Sequence, residues 1–438
     1  MKIAIVLGTR PEIIKVSPII DEIQKNNTDL VIIHTGQHYD TKMSQQFFED
    51  LNLPTADYNI HSGSTTAIKQ VSQIICKLEE ILKKENPDIV LIQGDTNAVL
   101  AGALASNKLK IPVGHIEAGL RSYDKNMPEE INRLVADNCS RLYFVPTDKT
   151  AINLLNEGIN HNLIYITGNT IVDACIRNTP IAQKKSQIQD TVKFDEYITL
   201  TLHRAENVDD EVRLKNIVMS IIDLPYNIVF PLHPHTRKSL ENANLYDEIK
   251  NSNHIQITEP LGYLDFLSLM SNSKLLLTDS GGIQEEAITL NIPCVTLRYN
   301  TERPETIDAG GNILAGVKSM EITDKIKNIL DNPDVYERMC NAKNPYGDGR
   351  SAARIYEIIK HRYENNTLNL EAFDNIMDFE GFFIKKIEDN IDVSKYELLN
   401  PGCIIQQAFK DDNAVYFNEH TNLKGMNIIV KKFKTQTK

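Results

Sequence analysis

The sequence predicts an α/β protein with two doubly wound, Rossmann-like domains that face a cleft, followed by a small β-rich extension. Two observations lead to this prediction. Short, almost wholly apolar segments alternate with helical segments, and the alternation runs through two successive series of the 438-residue chain. Near-continuous apolar strands between helices are typical of parallel sheets covered by helices on both faces. The chain is also long enough for two such domains.

The first series predicts a domain over residues 1–168. Its strands are expected at Ile3–Leu7, Leu30–Thr35, Ile89–Gln93, Val113–Glu117 and Leu142–Pro146. Its helices are expected at Pro11–Lys25, Gln70–Glu85, Asn97–Lys108 and Glu129–Asn138. The pattern of residues 351–363 predicts a last helix, which we assign to this domain.

The second series predicts a domain over residues 169–350. Its strands are expected at Tyr197–Leu202, Asn227–Leu232, Ile255–Thr258, Leu275–Thr278 and Cys294–Leu297. Its helices are expected at Asp210–Asp223, at Tyr263–Ser271 and from Gly282 onwards. The extension over residues 365–438 begins with a polar linker, and its strands are expected at Cys403–Phe409, Ala414–Asn418 and Met426–Phe433.

Composition excludes several classes of partner. The net charge of −12 argues against nucleic acid or an anionic membrane surface as the main partner. The six cysteines are scattered, which favours reduced thiols in a cytoplasmic protein over a disulfide framework or a metal site. The apolar start, Met1–Val6, is expected to be a buried strand because it is too short for a signal peptide, and no apolar run is long enough to span a bilayer.

The ends of two predicted strands carry the carboxylates Asp95 and Glu117. Each follows a short apolar run, and the segment between the runs has a helical pattern rich in alanine and leucine. Such a crossover makes the two strands parallel and close, so both carboxylates would lie at the carboxyl edge, where α/β sheets bind ligands. Paired carboxylates there can perform acid/base chemistry. An N-cap and an ordinary loop charge remain the alternative interpretation.

Two strand-to-helix turns could bind anions. Gly8-Thr-Arg-Pro-Glu12 follows the first strand, where Gly8 would allow a tight turn and Arg10 and Lys15 would add positive charge. The turn has neither a dinucleotide-binding nor a P-loop pattern. In the second domain, Asp279-Ser-Gly-Gly282 precedes a helix whose first N–H groups could surround a phosphate.

The second turn has the pattern of a nucleoside diphosphate site. Glu286 lies one turn inside its helix and would repel a phosphate, but its carboxylate suits the paired hydroxyls of a ribose. His203 ends the first strand of this domain, where an active role near a diphosphate and a structural role are both open. Phe266 could stack on a base, or it could be a core residue of an amphipathic helix.

Taken together, these segments make the chain resemble the non-hydrolysing UDP-N-acetylglucosamine 2-epimerase family over residues 1–363. The resemblance depends on ordered motifs, namely Gly8-Thr-Arg-Pro-Glu12, Thr35-Gly-Gln-His38, Gln93-Gly-Asp-Thr96, His115-Ile-Glu-Ala-Gly-Leu-Arg121, Pro128-Glu-Glu-Ile-Asn-Arg133, Gly168-Asn-Thr170, Leu202-His-Arg-Ala-Glu-Asn207, Asp279-Ser-Gly-Gly-Ile-Gln-Glu-Glu286 and Thr301-Glu-Arg-Pro-Glu305. It implies a GT-B-like fold, a homodimer, and reversible inversion of carbon 2 by elimination and re-addition of UDP through a glycal, with neither metal nor cofactor.

The resemblance also implies roles for individual residues. Acid/base carboxylates would be Asp95, Glu117 and Glu129, and His203 would help to stabilise departing UDP. Contacts with the substrate would come from Arg10, Lys15, Phe266, Ser280, Gly281, Gly282, Glu286 and Arg303, of which Glu286 would hold the ribose, Phe266 the uracil region and Ser280, Gly281, Gly282 and Arg303 the diphosphate. Alternatives are the same chemistry on a related UDP-amino sugar such as a diacetamido uronic acid, and a retaining GT-B glycosyltransferase.

One segment departs from the family pattern. Many bacterial relatives bind a second substrate molecule as an activator through a Gln-His-Arg-Glu segment, whereas this chain has Gln37-His-Tyr-Asp40. Because the arginine is missing, we expect no requirement for an activator. Initial rates over a substrate titration should then give a Hill coefficient near one, and sigmoidal rates would contradict this expectation.

Overall fold

The computed structural model describes residues 1–36, 47–63 and 65–369, together with the backbone of three later strands. The chain divides into two compact units, an N-terminal unit of Met1–Ala174 with Tyr346–Lys438, and a second unit of Cys175–Pro345. The segment Gln37–Met43 and the strands predicted at Cys403–Phe409 and Ala414–Asn418 lie outside the described residues.

The N-terminal unit contains a seven-stranded parallel sheet in the order β3-β2-β1-β4-β5-β6-β7. Its strands are β1 (Lys2–Leu7), β2 (Asp29–His34), β3 (Tyr58–Asn59), β4 (Ile89–Gln93), β5 (Val113–Ile116), β6 (Leu142–Val145) and β7 (Ile164–Ile166). Its helices are α1 (Arg10–Lys25), α2 (Ala67–Glu85), α3 (Asn97–Lys108), α4 (Pro128–Cys139), α5 (Asp148–Asn156) and α16 (Ser351–Glu364), with α6 (Thr170–Lys185) crossing into the second unit.

The second unit contains a six-stranded parallel sheet in the order β10-β9-β8-β11-β12-β13. Its strands are β8 (Ile198–Thr201), β9 (Ile228–Pro231), β10 (Ile255–Thr258), β11 (Leu275–Thr278), β12 (Cys294–Thr296) and β13 (Asn312–Leu314). Its helices are α7 (Ala205–Val208), α8 (Glu211–Ile222), α9 (Pro234–Asn242), α10 (Tyr246–Lys250), α11 (Tyr263–Ser271), α12 (Gly281–Thr289), α13 (Pro304–Asp308), α14 (Ser319–Leu330) and α15 (Pro333–Cys340).

The predicted α/β class with two parallel sheets is confirmed. Strands β1 and β4 are buried along their apolar runs, as expected of strands covered on both faces, and Ile3–Leu7 are 0% exposed. In the C-terminal part, the structure has a three-stranded antiparallel sheet in the order β14-β16-β15, with strands β14 (Phe379–Lys386), β15 (Tyr396–Leu398) and β16 (Asn427–Phe433). The strand predicted at Met426–Phe433 corresponds to β16.

The strand order of each parallel sheet locates its ligand-binding edge. The order reverses between β1 and β4 in the first sheet, and between β8 and β11 in the second. Ligands of open α/β sheets bind beyond the carboxyl ends of the strands at such a switch point. The segments that follow β1, β4, β8 and β11 are therefore the places to look for function. Among the described residues, no helix combines the length and apolar character that a membrane span requires.

Candidate active site

Glu117 lies directly after β5, and three side chains contact its carboxylate. Its backbone is left-handed, with φ +68°, and its side chain is buried. The Lys15 ammonium lies 2.8 and 2.7 Å from the two carboxylate oxygens, Gln93 donates its side-chain amide, and the Asn169 amide donates at 3.3 Å. A non-glycine residue with positive φ is uncommon, and such strained positions cluster at functional sites. The donors and the cation all favour the ionised carboxylate.

Asp95 follows β4, the parallel neighbour of β5, as the sequence predicted. The Arg133 guanidinium joins two carboxylates, since it lies 2.5 Å from an Asp95 oxygen and 2.7 Å from a Glu130 oxygen. The side-chain amide of Asn132 donates to the Asp95 carbonyl at 2.9 Å. Asp95 is not an N-cap, because Thr96 caps α3. The alternative structural interpretation of Asp95 is therefore wrong.

Glu129 and Glu130 differ sharply although they are adjacent in α4. Glu130 is buried and accepts hydrogen bonds from the backbone N–H groups of Ser122 and Tyr123. Glu129 is exposed in the first turn of the helix, and within the described part of the chain its carboxylate has no hydrogen-bond or ion-pair partner. Glu130 is thus committed to the fold, whereas Glu129 remains available to a substrate.

The turn after β1 is held by Glu12 and not by an unusual glycine. One Glu12 oxygen accepts hydrogen bonds from the N–H groups of Gly8 and Thr9 at 3.0 and 2.6 Å, and the other accepts from the Thr96 hydroxyl at 2.9 Å. Gly8 does not have a positive φ, so the turn does not use the left-handed backbone that favours glycine. The exposed Arg10 guanidinium lies 5.9 Å from the centre of the Phe47 ring.

In the second unit, a buried carboxylate orients the predicted histidine. Asp279 is 0% exposed and accepts hydrogen bonds from the backbone N–H groups of His203 and Arg204. The Nδ1 atom of His203 lies 3.0 Å from an Asp279 oxygen, while 45% of the histidine side chain remains exposed. Burial would raise the pKa of Asp279, but the His203 contacts and backbone donors hold it below its usual value. The arrangement directs Nε2 of His203 away from the carboxylate.

The turn over residues 280–282 leaves the beginning of α12 open. Ser280 is the N-cap, and its side chain makes no capping hydrogen bond. A Cβ atom added at Gly282 would meet nothing within 4 Å, and one added at Gly281 would meet only side-chain ends at 3.6 Å or more. The first N–H groups of an α-helix have no partner within the helix, and they favour an anion when space is available. The turn can therefore accommodate a phosphate group.

The other residues predicted for this unit, Arg303, Glu286 and Phe266, have protein partners. The Arg303 Nε atom lies 2.7 Å from an oxygen of the buried Glu285 carboxylate. Glu286 is 7% exposed, and its charge adds to burial in raising the pKa of the Tyr263 hydroxyl. Phe266 is half-buried and packs against the apolar cluster around Leu267.

Sequence reasoning assigned no role to four residues that complete these sites. They are Gln93, Arg133 and Asn169 in the N-terminal unit, and Asp279 in the second unit. All four stand inside motifs that the sequence analysis had singled out. The sequence therefore indicated that these four residues matter, but it did not predict which groups they contact.

Comparisons with known proteins identify the relatives of this chain. The family model described as UDP-N-acetylglucosamine 2-epimerase matches residues 21–360. The UDP-N-acetylglucosamine 2-epimerase of Methanocaldococcus jannaschii is 50% identical over 369 residues, which cover 82% of this chain and 99% of that protein. A crystal structure of the M. jannaschii UDP-GlcNAc 2-epimerase in complex with UDP-GlcNAc and UDP has a TM-score of 0.72 at 50% identity, covering 82% of this chain and 100% of the other.

A relative with another sugar substrate is also similar. The UDP-2,3-diacetamido-2,3-dideoxy-D-glucuronate 2-epimerase of Pseudomonas aeruginosa is 39% identical over 365 residues, covering 82% of this chain and 99% of that protein. The matched family model ends at residue 360, so the sheet of β14, β15 and β16 lies beyond it.

The buried Glu12 carboxyl should make stability depend on pH. Burial raises its pKa to about 7 from an unfolded value of 4.5, so the folded state binds the extra proton between these values and loses stability as pH rises through them. Glu12→Gln resembles the protonated form. Relative to wild type, its free energy of unfolding should rise by up to roughly 3 kcal/mol between about pH 5 and pH 8.

Urea unfolding at several pH values measures this difference. Glu80→Gln is the matched control, because Glu80 is exposed on α2 with only a surface ion pair to Lys77, so the substitution should change the free energy of unfolding very little. If the difference in free energy of unfolding between Glu12→Gln and wild type is also independent of pH, the raised pKa assigned to Glu12 is contradicted.

Proposed function

The chain belongs to the UDP-N-acetylglucosamine 2-epimerase family, and we propose that it interconverts UDP-N-acetylglucosamine and UDP-N-acetylmannosamine without hydrolysing them. One observation carries most of this proposal: the strained, buried Glu117 is held as a carboxylate by Lys15 at the carboxyl edge where Asp95 follows the neighbouring strand. An ionised carboxylate at a ligand-binding edge is suited to removing a proton from a substrate.

The chemistry must overcome the weak acidity of the hydrogen on carbon 2. This hydrogen is not next to a carbonyl group, so its direct removal would be very slow. Breakage of the bond between carbon 1 and the UDP oxygen first gives an oxocarbenium-like cation, which acidifies the neighbouring hydrogen. A carboxylate then removes the proton to leave a glycal and UDP. Return of a proton to the opposite face and re-addition of UDP complete the inversion, with no net oxidation.

We assign the binding of the leaving group, UDP, to residues of the second unit. The N–H groups of Ser280, Gly281 and Gly282 can bind the diphosphate at the start of α12, with Arg303 as a neighbouring cation. His203, oriented by Asp279, stabilises the charge that develops on departing UDP.

The nucleoside is assigned to two further residues of the same unit. The carboxylate of Glu286 accepts hydrogen bonds from the ribose hydroxyls. The ring of Phe266 lies against the uracil, for which its half-buried position leaves an open side.

We assign the proton transfers to the N-terminal unit. Asp95, Glu117 and Glu129 are the acid/base carboxylates, and Arg10 and Lys15 contact the substrate. Lys15 also has a second function, because its ion pair holds Glu117 in the ionised state that a base requires. Arg133 forms an ion pair with Asp95, at 2.5 Å.

A second candidate substrate is a UDP-diacetamido uronic acid, as the name of the P. aeruginosa relative indicates for that protein. Incubation of the purified full-length chain with each UDP-sugar, followed by chromatography, separates the candidates. Formation of UDP-N-acetylmannosamine supports the proposal, and free N-acetylmannosamine would instead indicate a hydrolysing enzyme. If the enzyme converts the UDP-diacetamido uronic acid but not UDP-N-acetylglucosamine, the uronic acid is the substrate.

We further propose that the protein works as a cytoplasmic homodimer. The family resemblance supports the dimer. The location is supported by the cysteines, since the five in the described part of the chain, Cys76, Cys139, Cys175, Cys294 and Cys340, are free thiols. Light scattering of the purified protein would measure the oligomeric state.

Asp95→Asn should abolish most activity while it leaves the fold intact. The substitution keeps the shape of the side chain and removes its ability to take up a proton, so kcat should fall by about 10²–10⁴. Affinity for UDP should be unchanged, because the groups assigned to UDP belong to the second unit. Initial-rate kinetics and calorimetric titration with UDP measure the two quantities.

Asp247→Asn is the control, since Asp247 is exposed in the first turn of α10. Turnover of Asp95→Asn close to that of wild type would remove Asp95 from the mechanism.

A further inference from the structure

His115 stands near the carboxyl end of β5, and its ring contacts the residue that precedes Asp95, just after the neighbouring strand β4. Its side chain is 0% exposed, and it is two residues before Glu117. Its Nε2 atom lies 2.8 Å from the Gly94 carbonyl oxygen, and its Nδ1 atom lies 2.6 Å from an oxygen of Asp137. The proposed function assigns no role to this ring.

Both ring nitrogens of His115 face hydrogen-bond acceptors. A carbonyl oxygen can only accept, so Nε2 must carry a proton to bond with Gly94. The second oxygen of Asp137 accepts from the Arg121 guanidinium at 2.7 Å and from the Gly119 N–H at 3.3 Å. Burial opposes ionisation of this carboxyl, but His115 and Arg121 outweigh it and hold the pKa of Asp137 below its usual value, so it is an ionised acceptor on both sides. Nδ1 must therefore carry a proton as well, and the ring is an imidazolium.

The surrounding charges agree with this protonation state. Burial alone would lower the pKa of His115, but the charge and hydrogen bond of Asp137 and the bond to Gly94 outweigh it, so the pKa is raised. Arg121 acts in the opposite direction, although it is itself paired with Glu157 at 2.6 Å. The Tyr143 hydroxyl, whose pKa is raised by burial and by Asp137, donates to the Asp137 carbonyl and remains neutral.

The acceptor of the Nε2 bond is the residue that precedes Asp95. Gly94 has φ +84°, and its peptide is the point at which the chain leaves β4. Thr96, on the other side of Asp95, is held by Glu12 at 2.9 Å. Asp95 is thus held on one side by the His115–Gly94 bond and on the other by the Glu12–Thr96 bond. Loss of the Nε2 proton would place a lone pair of His115 against a lone pair of the Gly94 carbonyl and break the first of these bonds.

We propose that His115 is a positioning residue for the epimerisation: its doubly protonated ring fixes the Gly94 peptide and thereby aims the Asp95 carboxylate at the substrate. The proposal rests on the proposed function, since Asp95 acts there as an acid/base group. A displacement of about 1 Å at a reacting group can reduce the rate by about 10²-fold. The protein should therefore lose kcat at alkaline pH as His115 loses its proton.

Two substitutions separate positioning from a merely structural role. His115→Gln cannot donate in both directions, so kcat should fall by about 10²-fold across the pH range, with KM and UDP affinity unchanged. Asp137→Asn should keep the Gly94 bond, because its amide can donate to Nδ1 of a neutral ring that keeps its proton on Nε2. This variant should lose the alkaline decline of kcat. His254→Gln is the control, since His254 bonds to Ser252 and the Ile221 carbonyl in the second unit.

A spectroscopic measurement keeps the test decisive if Asp137→Asn does not fold. In protein labelled with ¹⁵N-histidine, the signals absent from His115→Gln belong to His115. Both ring nitrogens should carry protons at neutral pH, and one should lose its proton at the midpoint of the alkaline decline of kcat. Two results would overturn the proposal: a ring protonated on only one nitrogen at neutral pH, or loss of a ring proton at a pH that differs from the midpoint of the alkaline decline of kcat. Absence of epimerase activity in wild type would overturn the proposed function and leave the protonation result intact.

Discussion

The N-terminal unit must keep carboxylates ionised where they are shielded from water, and much of its structure follows from this constraint. Glu117 is 6% exposed, and an unpaired charge at such a depth would be strongly unfavourable. Its three partners come from separate parts of the chain: Lys15 from α1, Gln93 from β4 and Asn169 from the segment after β7. The parallel sheet brings these segments to one edge. The same ion pair that stabilises the carboxylate also selects the protonation state that a base needs.

The two units divide the proposed reaction by the kind of charge they provide. Donors dominate the edge of the second sheet, where an open helix N-terminus and the Asp279-oriented His203 suit an anionic leaving group. The edge of the first sheet provides carboxylates, each with a cation beside it, Lys15 for Glu117 and Arg133 for Asp95. Both sets lie beyond the carboxyl ends of strands at a switch point or, for Glu117, next to one, so the same architectural rule locates a carboxylate site and an anion site.

Sequence reasoning located the strands and the carboxylate pair because both depend on local pattern and on the crossover rule. The short strands β3, β7 and β13 escaped it, since two or three residues carry too little periodicity. The contact of Arg133 with Asp95, across 38 residues, and that of His115 with Asp137, across 22, also could not be predicted, because they depend on how α4 packs against the sheet. Motifs revealed which residues mattered, and packing determined what each one does.

In the proposed mechanism, a carboxylate of this chain exchanges the hydrogen on carbon 2 through a cleaved UDP-sugar. Proton NMR of the purified protein with UDP-N-acetylglucosamine in deuterium oxide tests it most directly. We expect UDP-N-acetylmannosamine to appear with deuterium at carbon 2, because the proton removed from one face is replaced from solvent on the other. Product that retains its original hydrogen at carbon 2, or complete absence of both exchange and product, would rule out this mechanism.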